Sequence, residues 1–201
     1  MNDLFSLEND IVIVTGVSGQ LGSEYASAIL LHGASKVIGL DLRPSSKVRS
    51  LLQENENKFF FLETDITDKT SLIDSCDNIL LNYGVPTVLI NNAGLDSNPD
   101  SSLEDAQRFE NYPEDSWDKV IDVNLKGTFL CCQVFGSKMA DNGKGSIINI
   151  SSIYGIVSPD QSLYDYRRAR GEDFYKPVAY SASKSGLINL TKYLSVYWAK
   201  E

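Results

Sequence analysis

Tyr180 and Lys184 stand four residues apart in the run YSASK, so on a helix they leave one face, a turn apart. A phenol beside a cation is equipped for proton exchange, because the cation favours the phenolate form and lets the group trade a proton with a carbinol or ketone oxygen. The paired Ser151-Ser152 ends an apolar, β-branched run, where a hydroxyl can hydrogen-bond an oxygen on which charge develops. The plain alternative for the first pair is an exposed Tyr–Lys contact on a solvated helix.

A second constellation is rich in glycine. Thr15-Gly16-Val17-Ser18-Gly19-Gln20-Leu21-Gly22 follows the run IVIV and precedes a helical pattern. Glycines there allow a tight turn and a close backbone approach to a pyrophosphate at the positive helix end. A strand-to-helix turn alone would account for them. Asp41 adds a second partner at the end of the next apolar run, nineteen residues after Gly22. A carboxylate at that place takes both ribose hydroxyls of an adenosine and repels a 2′-phosphate, which favours NAD over NADP. Arg43 and Lys47, just beyond, would welcome that phosphate and pull the other way.

These residues need a scaffold, and the hydrophobic pattern supplies one. The runs IVIVTG (11–16), KVIGLD (36–41), KFFFLETD (58–65), TVLINNAG (87–94) and GSIINISS (145–152) are apolar at nearly every position, the pattern of parallel strands covered on both faces. Helical segments alternate with them: about Gly19 to His32, ended by Gly33; Asp68 to Tyr83, begun by Thr67 and ended by Gly84; Pro113 to about Ala140; and Ser181 onward, with Leu187, Leu190, Leu194 and Tyr197 on one stripe. The alternation predicts a three-layer, doubly wound parallel α/β sheet. Two connections exceed the usual few residues, 95–112 and 153–177, and both leave the carboxyl ends of strands, where ligands sit in such sheets.

Composition narrows the chemistry. With 18 Lys plus Arg against 27 Asp plus Glu, a net charge of −9 opposes binding to a nucleic-acid backbone. His32 is the only histidine, which nearly removes a His-based metal site or a Ser-His-Asp triad. Cys76, Cys131 and Cys132 form no C-x-x-C, and the first residues carry Asp3, Glu8 and Asp10 where a signal peptide needs cations. The expectation is a reducing, cytoplasmic compartment with no membrane span.

Taken together, TGVSGQLG, LD at Asp41, DI at Asp65–Ile66, NNAG, Asn124 in VNLKGTF, INISS and YSASK resemble the short-chain dehydrogenase/reductase family, in order and approximate spacing over nearly the whole chain. The resemblance implies a Rossmann fold and an NAD(P)-dependent oxidoreductase acting on a secondary alcohol or ketone. It implies Ser152, Tyr180 and Lys184 as the catalytic set, Asn124 as a fourth member holding a water beside Lys184, and Ser151 as the reserve for Ser152. By the same matching Gly16, Ser18, Gln20, Leu21, Asp41, Asp65, Ile66, Asn92, Ala93 and Gly94 line the cofactor, with Tyr180 and Lys184 at its nicotinamide end. A homodimer or homotetramer is implied too, with a seam along 113–140 and 181–200, where Cys131 and Cys132 pack.

Three departures stand out. Gln20 occupies the usual second glycine position and Gly19 lies one place earlier, a spacing found in longer, sugar-nucleotide-modifying members. Between Ser152 and Tyr180 lies SPDQSLYDYRRARGEDFYKPVA, which resembles members from surface-glycan and nonulosonic-acid sugar pathways. There Arg167, Arg168 and Arg170 stand among Tyr164, Tyr166 and Tyr175, a set suited to an anionic sugar; the plain alternative is a solvated flap balanced by Asp160, Asp165, Glu172 and Asp173. Typical members also continue into two more strands, so 1–201 reads as a single domain that breaks off inside the helix carrying YSASK. Two other functions fit parts of the pattern: a non-catalytic dinucleotide-binding regulator, and a sugar-nucleotide epimerase or dehydratase.

Overall fold

The computed structural model describes residues 5–97, 108–172 and 174–201. Asp3, Asp173 and the central part of the long 95–112 connection lie outside the described residues. Five strands, β1 (Ile11–Thr15), β2 (Lys36–Asp41), β3 (Phe59–Glu63), β4 (Val88–Asn91) and β5 (Ser146–Asn149), form one sheet in the order β3-β2-β1-β4-β5. Every pairing is parallel, and the strand order reverses at β1, where β2 and β4 flank it. That reversal opens a crevice between the loops leaving β1 and β4.

The sheet is apolar on both faces because helices cover both. On one face Val12, Val14 and Val37 pack with Ala26 of α1 (Gln20–Leu31) and with Val48 and Leu51 of α2 (Ser46–Glu54). On the other, Ile13, Ile38 and Leu40 meet Leu72 and Ile79 of α3 (Lys69–Asn82) and Cys131 and Phe135 of α4, a continuous helical run over 114–141. Alternate residues of β1 thus serve opposite cores, the period-two geometry of a strand buried twice.

Several expectations are refined. Helix α2 is not anticipated by the sequence pattern; Pro44 precedes its cap, and the Ser45 hydroxyl accepts the Val48 N–H. Asp68, rather than Thr67, caps α3, accepting from the Thr70 N–H. The 113–140 helix forms, but two stretches, Asp122–Gly127 and Cys132–Gly136, adopt the wider π geometry. The 153–177 connection is not structureless: it holds 3-10 turns at Ile153–Gly155 and Gln161–Tyr164 and the short helix α5 (Asp165–Arg168). The final helix, α6 (Val178–Tyr197), begins earlier than Ser181, behind Pro177, and ends with Trp198 as its C-cap rather than running to the last residue. It lies close against α4, since a Cβ on Gly186 would stand 2.8 Å from Leu125 and one on Gly136 2.8 Å from Trp198. Of the stripe on this helix, Leu187 is buried and Tyr197 is exposed.

Candidate active site

The β1–α1 turn is built by close backbone approach. Gly16 has φ +65°, and a Cβ there would lie 2.7 Å from the Ala93 Cα; on Gly22 it would lie 2.2 Å from the Gly16 carbonyl oxygen. Gly19 caps α1 without a side-chain hydrogen bond, and Gly19, Gln20 and Leu21 are exposed, so the N–H groups of the first turn stay open to an anion. Asn92 binds the turn to the end of β4: its Nδ2 donates to the carbonyls of Thr15 (3.0 Å) and Gly16 (3.1 Å). Thr15 Oγ1 accepts from the Asn92 and Ala93 N–H groups, both at 3.1 Å. Thr15 is therefore a positioning residue that the motif contained and the sequence reading did not single out.

Asp41 closes one side of this crevice. Its carboxylate accepts from the Ser18 N–H (2.9 Å) and the Leu42 N–H (2.8 Å), while Ser18 Oγ donates to the Arg43 carbonyl (2.7 Å). The Ser18 hydroxyl thus shapes the turn after β2. Lys47, expected as a 2′-phosphate partner, is paired with Glu24 of α1. Asp65 accepts from the Thr67 N–H and hydroxyl, and Ile66 is buried beside Gly127 of α4. Both support the wall through local contacts. This cradle fits a dinucleotide, since the tightly packed turn presents the open N–H groups at the start of α1 and a carboxylate stands at the end of β2.

The second cluster lies at the carboxyl end of β4. Asn124, fully buried in the π turn of α4, accepts the Leu95 N–H (2.7 Å) and donates to the Leu95 carbonyl (2.9 Å) and to Ser183 Oγ (3.0 Å). Ser183 Oγ in turn donates to the Tyr180 carbonyl (2.7 Å). One saturated amide thus ties β4, α4 and α6 together. Lys184 is 4% exposed, which removes the solvated-helix alternative, and its ammonium donates to the Ile150 carbonyl at 2.7 Å. Burial pushes its pKa below the ordinary lysine value. Its Nζ stands 5.7 Å from the centre of the Tyr180 ring and 3.4 Å from where a Cβ on Gly94 would be.

The two serines separate by role. Ser151 Oγ donates to the Lys184 carbonyl (2.8 Å), a structural tie between β5 and α6. Ser152 Oγ accepts the Tyr154 N–H at 3.2 Å and keeps its own proton for another acceptor. The flap arginines are engaged internally. Arg167 pairs with Glu172 (2.6 Å) and lies 3.8 Å over the Phe174 ring; Arg168 donates to the Phe174 carbonyl (2.8 Å) and pairs with Asp165; Arg170 lies 5.7 Å from the Tyr166 ring. They staple the flap, so the expectation that they grip an anionic substrate finds no free guanidinium in Arg167 or Arg168. Lys176, which sequence reasoning missed, approaches within 5.0 Å of the Tyr180 ring centre and pairs with Asp96. Burial raises the thiol pKa of Cys131 and Cys132, the latter to about 12, as expected of packing residues. Among the described residues no cluster could hold a metal ion, and no helix is long and apolar enough to cross a membrane.

Known proteins resemble this chain in sequence and in fold. Residues 10–166 match the family model for short chain dehydrogenases. The chain is 31% identical over 195 residues to an NAD-dependent glycerol dehydrogenase of Listeria innocua, spanning 97% of this chain and 67% of that protein. It is 28% identical over 195 residues to a D-threitol dehydrogenase of Mycolicibacterium smegmatis, spanning 96% and 66%. A crystal structure of a short-chain dehydrogenase from Streptomyces avermitilis superposes with a TM-score of 0.77 at 26% identity, over 94% of this chain and 61% of that one. The chain therefore spans about two thirds of the length of the relatives it matches.

Proposed function

The chain belongs to the short-chain dehydrogenase family, and from that premise we propose that it is an NAD-dependent oxidoreductase interconverting a secondary alcohol and its ketone on a polyhydroxy compound. The observation that carries this reading is the buried Lys184 ammonium, fixed by the Ile150 carbonyl and set beside the Tyr180 ring. A cation is held there at a desolvation cost that an inert surface pair would not need. The nicotinamide, when bound, supplies the acceptor for the hydrogen leaving the carbinol carbon.

The chain's own residues do the rest. Tyr180 takes the hydroxyl proton during oxidation and returns it during reduction, with Lys184 favouring the phenolate. Ser152 donates its free proton to the same substrate oxygen as negative charge builds there. Asn124 spends its amide on Leu95 and Ser183, so its part is to hold the β4 loop and α6 in register. Gly16, Gly22 and the open first turn of α1 take the pyrophosphate, and Asp41 takes the adenosine ribose and disfavours a 2′-phosphate. The dehydrogenases of glycerol and threitol among the relatives support a polyol as the compound oxidised. The reading also includes a cytoplasmic setting, a homodimer or homotetramer, and a single cofactor-binding domain over 1–201. Incubation with NAD and glycerol, threitol, xylitol or sorbitol, followed by nicotinamide absorbance, tests it. Net NADH formation is expected; no reduction of NAD or NADP by any of them would contradict it.

A further inference from the structure

We propose that Asp96 and Lys176 read the substrate, selecting a neutral polyol over the matching sugar acid; this rests on the oxidoreductase reading above. Lys176 lies four residues before Tyr180 and directly before the Pro177 cap of α6. Its backbone is clamped on both sides by one amide, its N–H donating to Gln161 Oε1 (2.8 Å) and its carbonyl accepting from Gln161 Nε2 (3.2 Å). The side chain is only 12% exposed, with the ammonium 5.0 Å from the Tyr180 ring centre and 5.9 Å from that of Tyr154. Its partner Asp96 follows Leu95, whose main chain Asn124 holds through two hydrogen bonds. Both members of the pair are therefore delivered by fixed backbone to the neighbourhood of the proposed acid/base.

The space beside Lys176 suits hydroxyl groups. Lys176 also lines a cleft of about 490 Å³ together with Gln161, Tyr175 and Ser181 and with the oppositely charged Arg108 and Glu110. The pair itself offers an acceptor and a donor side by side. Hydroxyls on neighbouring carbons both donate and accept, so they satisfy Asp96 and Lys176 without separating them. A carboxylate does not: it competes with Asp96 for the ammonium and places like charges together. The pair acts as a charge-neutral reader, and removing the Asp96 charge turns Lys176 into an anion site.

The test compares kcat/KM for matched pairs, glycerol with glycerate, threitol with threonate, xylitol with xylonate and sorbitol with gluconate, in the unaltered protein, Asp96→Asn and Lys176→Gln. The unaltered protein should favour the alditol of its best pair. Asp96→Asn should move the ratio toward the acid by about ten-fold or more, whereas Lys176→Gln should raise KM for the alditol and give the acid no advantage. An unmoved ratio in Asp96→Asn, or an acid preference in the unaltered protein, would overturn the proposal. If no compound turns over, the oxidoreductase reading fails by itself. The pair is then judged by NADH fluorescence: tightening of NADH by an alditol but not its acid, reversed in Asp96→Asn, supports it, and equal or absent effects overturn it.

Discussion

At the scale of single residues, the site depends on a lysine kept out of water. Burial lowers the folded-state pKa of Lys184 from the ordinary 10.5, so the unfolded chain binds more protons between the two values. Stability therefore rises with pH across that alkaline window, and below it the cost of the buried charge is felt in full. Lys184→Met should flatten this slope in denaturant unfolding measured from neutral pH to just above 10.5; the same slope in both proteins would place the depressed group elsewhere. Asp41 carries a second prediction. Asp41→Asn should narrow the preference for NADH over NADPH by about ten-fold, read by binding titration, because the charge opposing a 2′-phosphate is gone. Asn124, Tyr180, Lys184 and Asp41 were legible in the sequence because their motifs are local. Thr15, Ser183, Asp96 and Lys176 were not, since their partners lie far along the chain; Lys176 pairs across 80 residues.

At the scale of elements, the strands were readable because both faces are covered and every run is apolar; the ends of β5 and α6 were less so. Among the described residues β5 has only β4 as a neighbour, and Ile148 is 45% exposed, so its hydrophobic run reports a buried strand more strongly than the structure shows. Helix α2 escaped because nine residues with two buried positions give too little period to see, even with a Ser cap in place. The first π turn of α4 escaped because it goes with tertiary contacts, Asn124 reaching Leu95 and Ser183 and Gly127 admitting Ile66. The β1–α1 turn is the element on which the cofactor reading depends. Gly22→Ala would bring a methyl to 2.2 Å from the Gly16 carbonyl oxygen, forcing the turn apart. NADH affinity should fall by about ten-fold or more, with far-UV circular dichroism retained; undiminished affinity would mean the turn does not hold the pyrophosphate.

At the scale of the whole molecule, a single sheet carries both proposed halves of the site at its carboxyl edge: the proposed dinucleotide cradle at the β1 and β2 ends, and the proposed acid/base cluster at the β4 and β5 ends with α6. The order β3-β2-β1-β4-β5 brings these halves together; the alternation of runs and helices predicted the doubly wound parallel sheet but not this order. What the alternation could not show is how the 153–177 connection folds, because its geometry is set by side-chain clamps such as Gln161 on Lys176 and Arg168 on the Phe174 carbonyl. Cys76 and Cys131 are buried in the core shared by α3 and α4, and Cys132 is buried beside Asn91. Their reaction with an aromatic disulfide reagent should follow unfolding and leave the folded protein unlabelled; rapid labelling without loss of structure would contradict that packing.

The most direct test of the central claim is Tyr180→Phe, assayed in one preparation for polyol oxidation and for NADH binding by energy transfer from Trp117 or Trp198. If Tyr180 exchanges the substrate proton, turnover should fall by about a hundred-fold or more while NADH affinity stays near that of the unaltered protein. Turnover comparable to the unaltered protein would contradict the account.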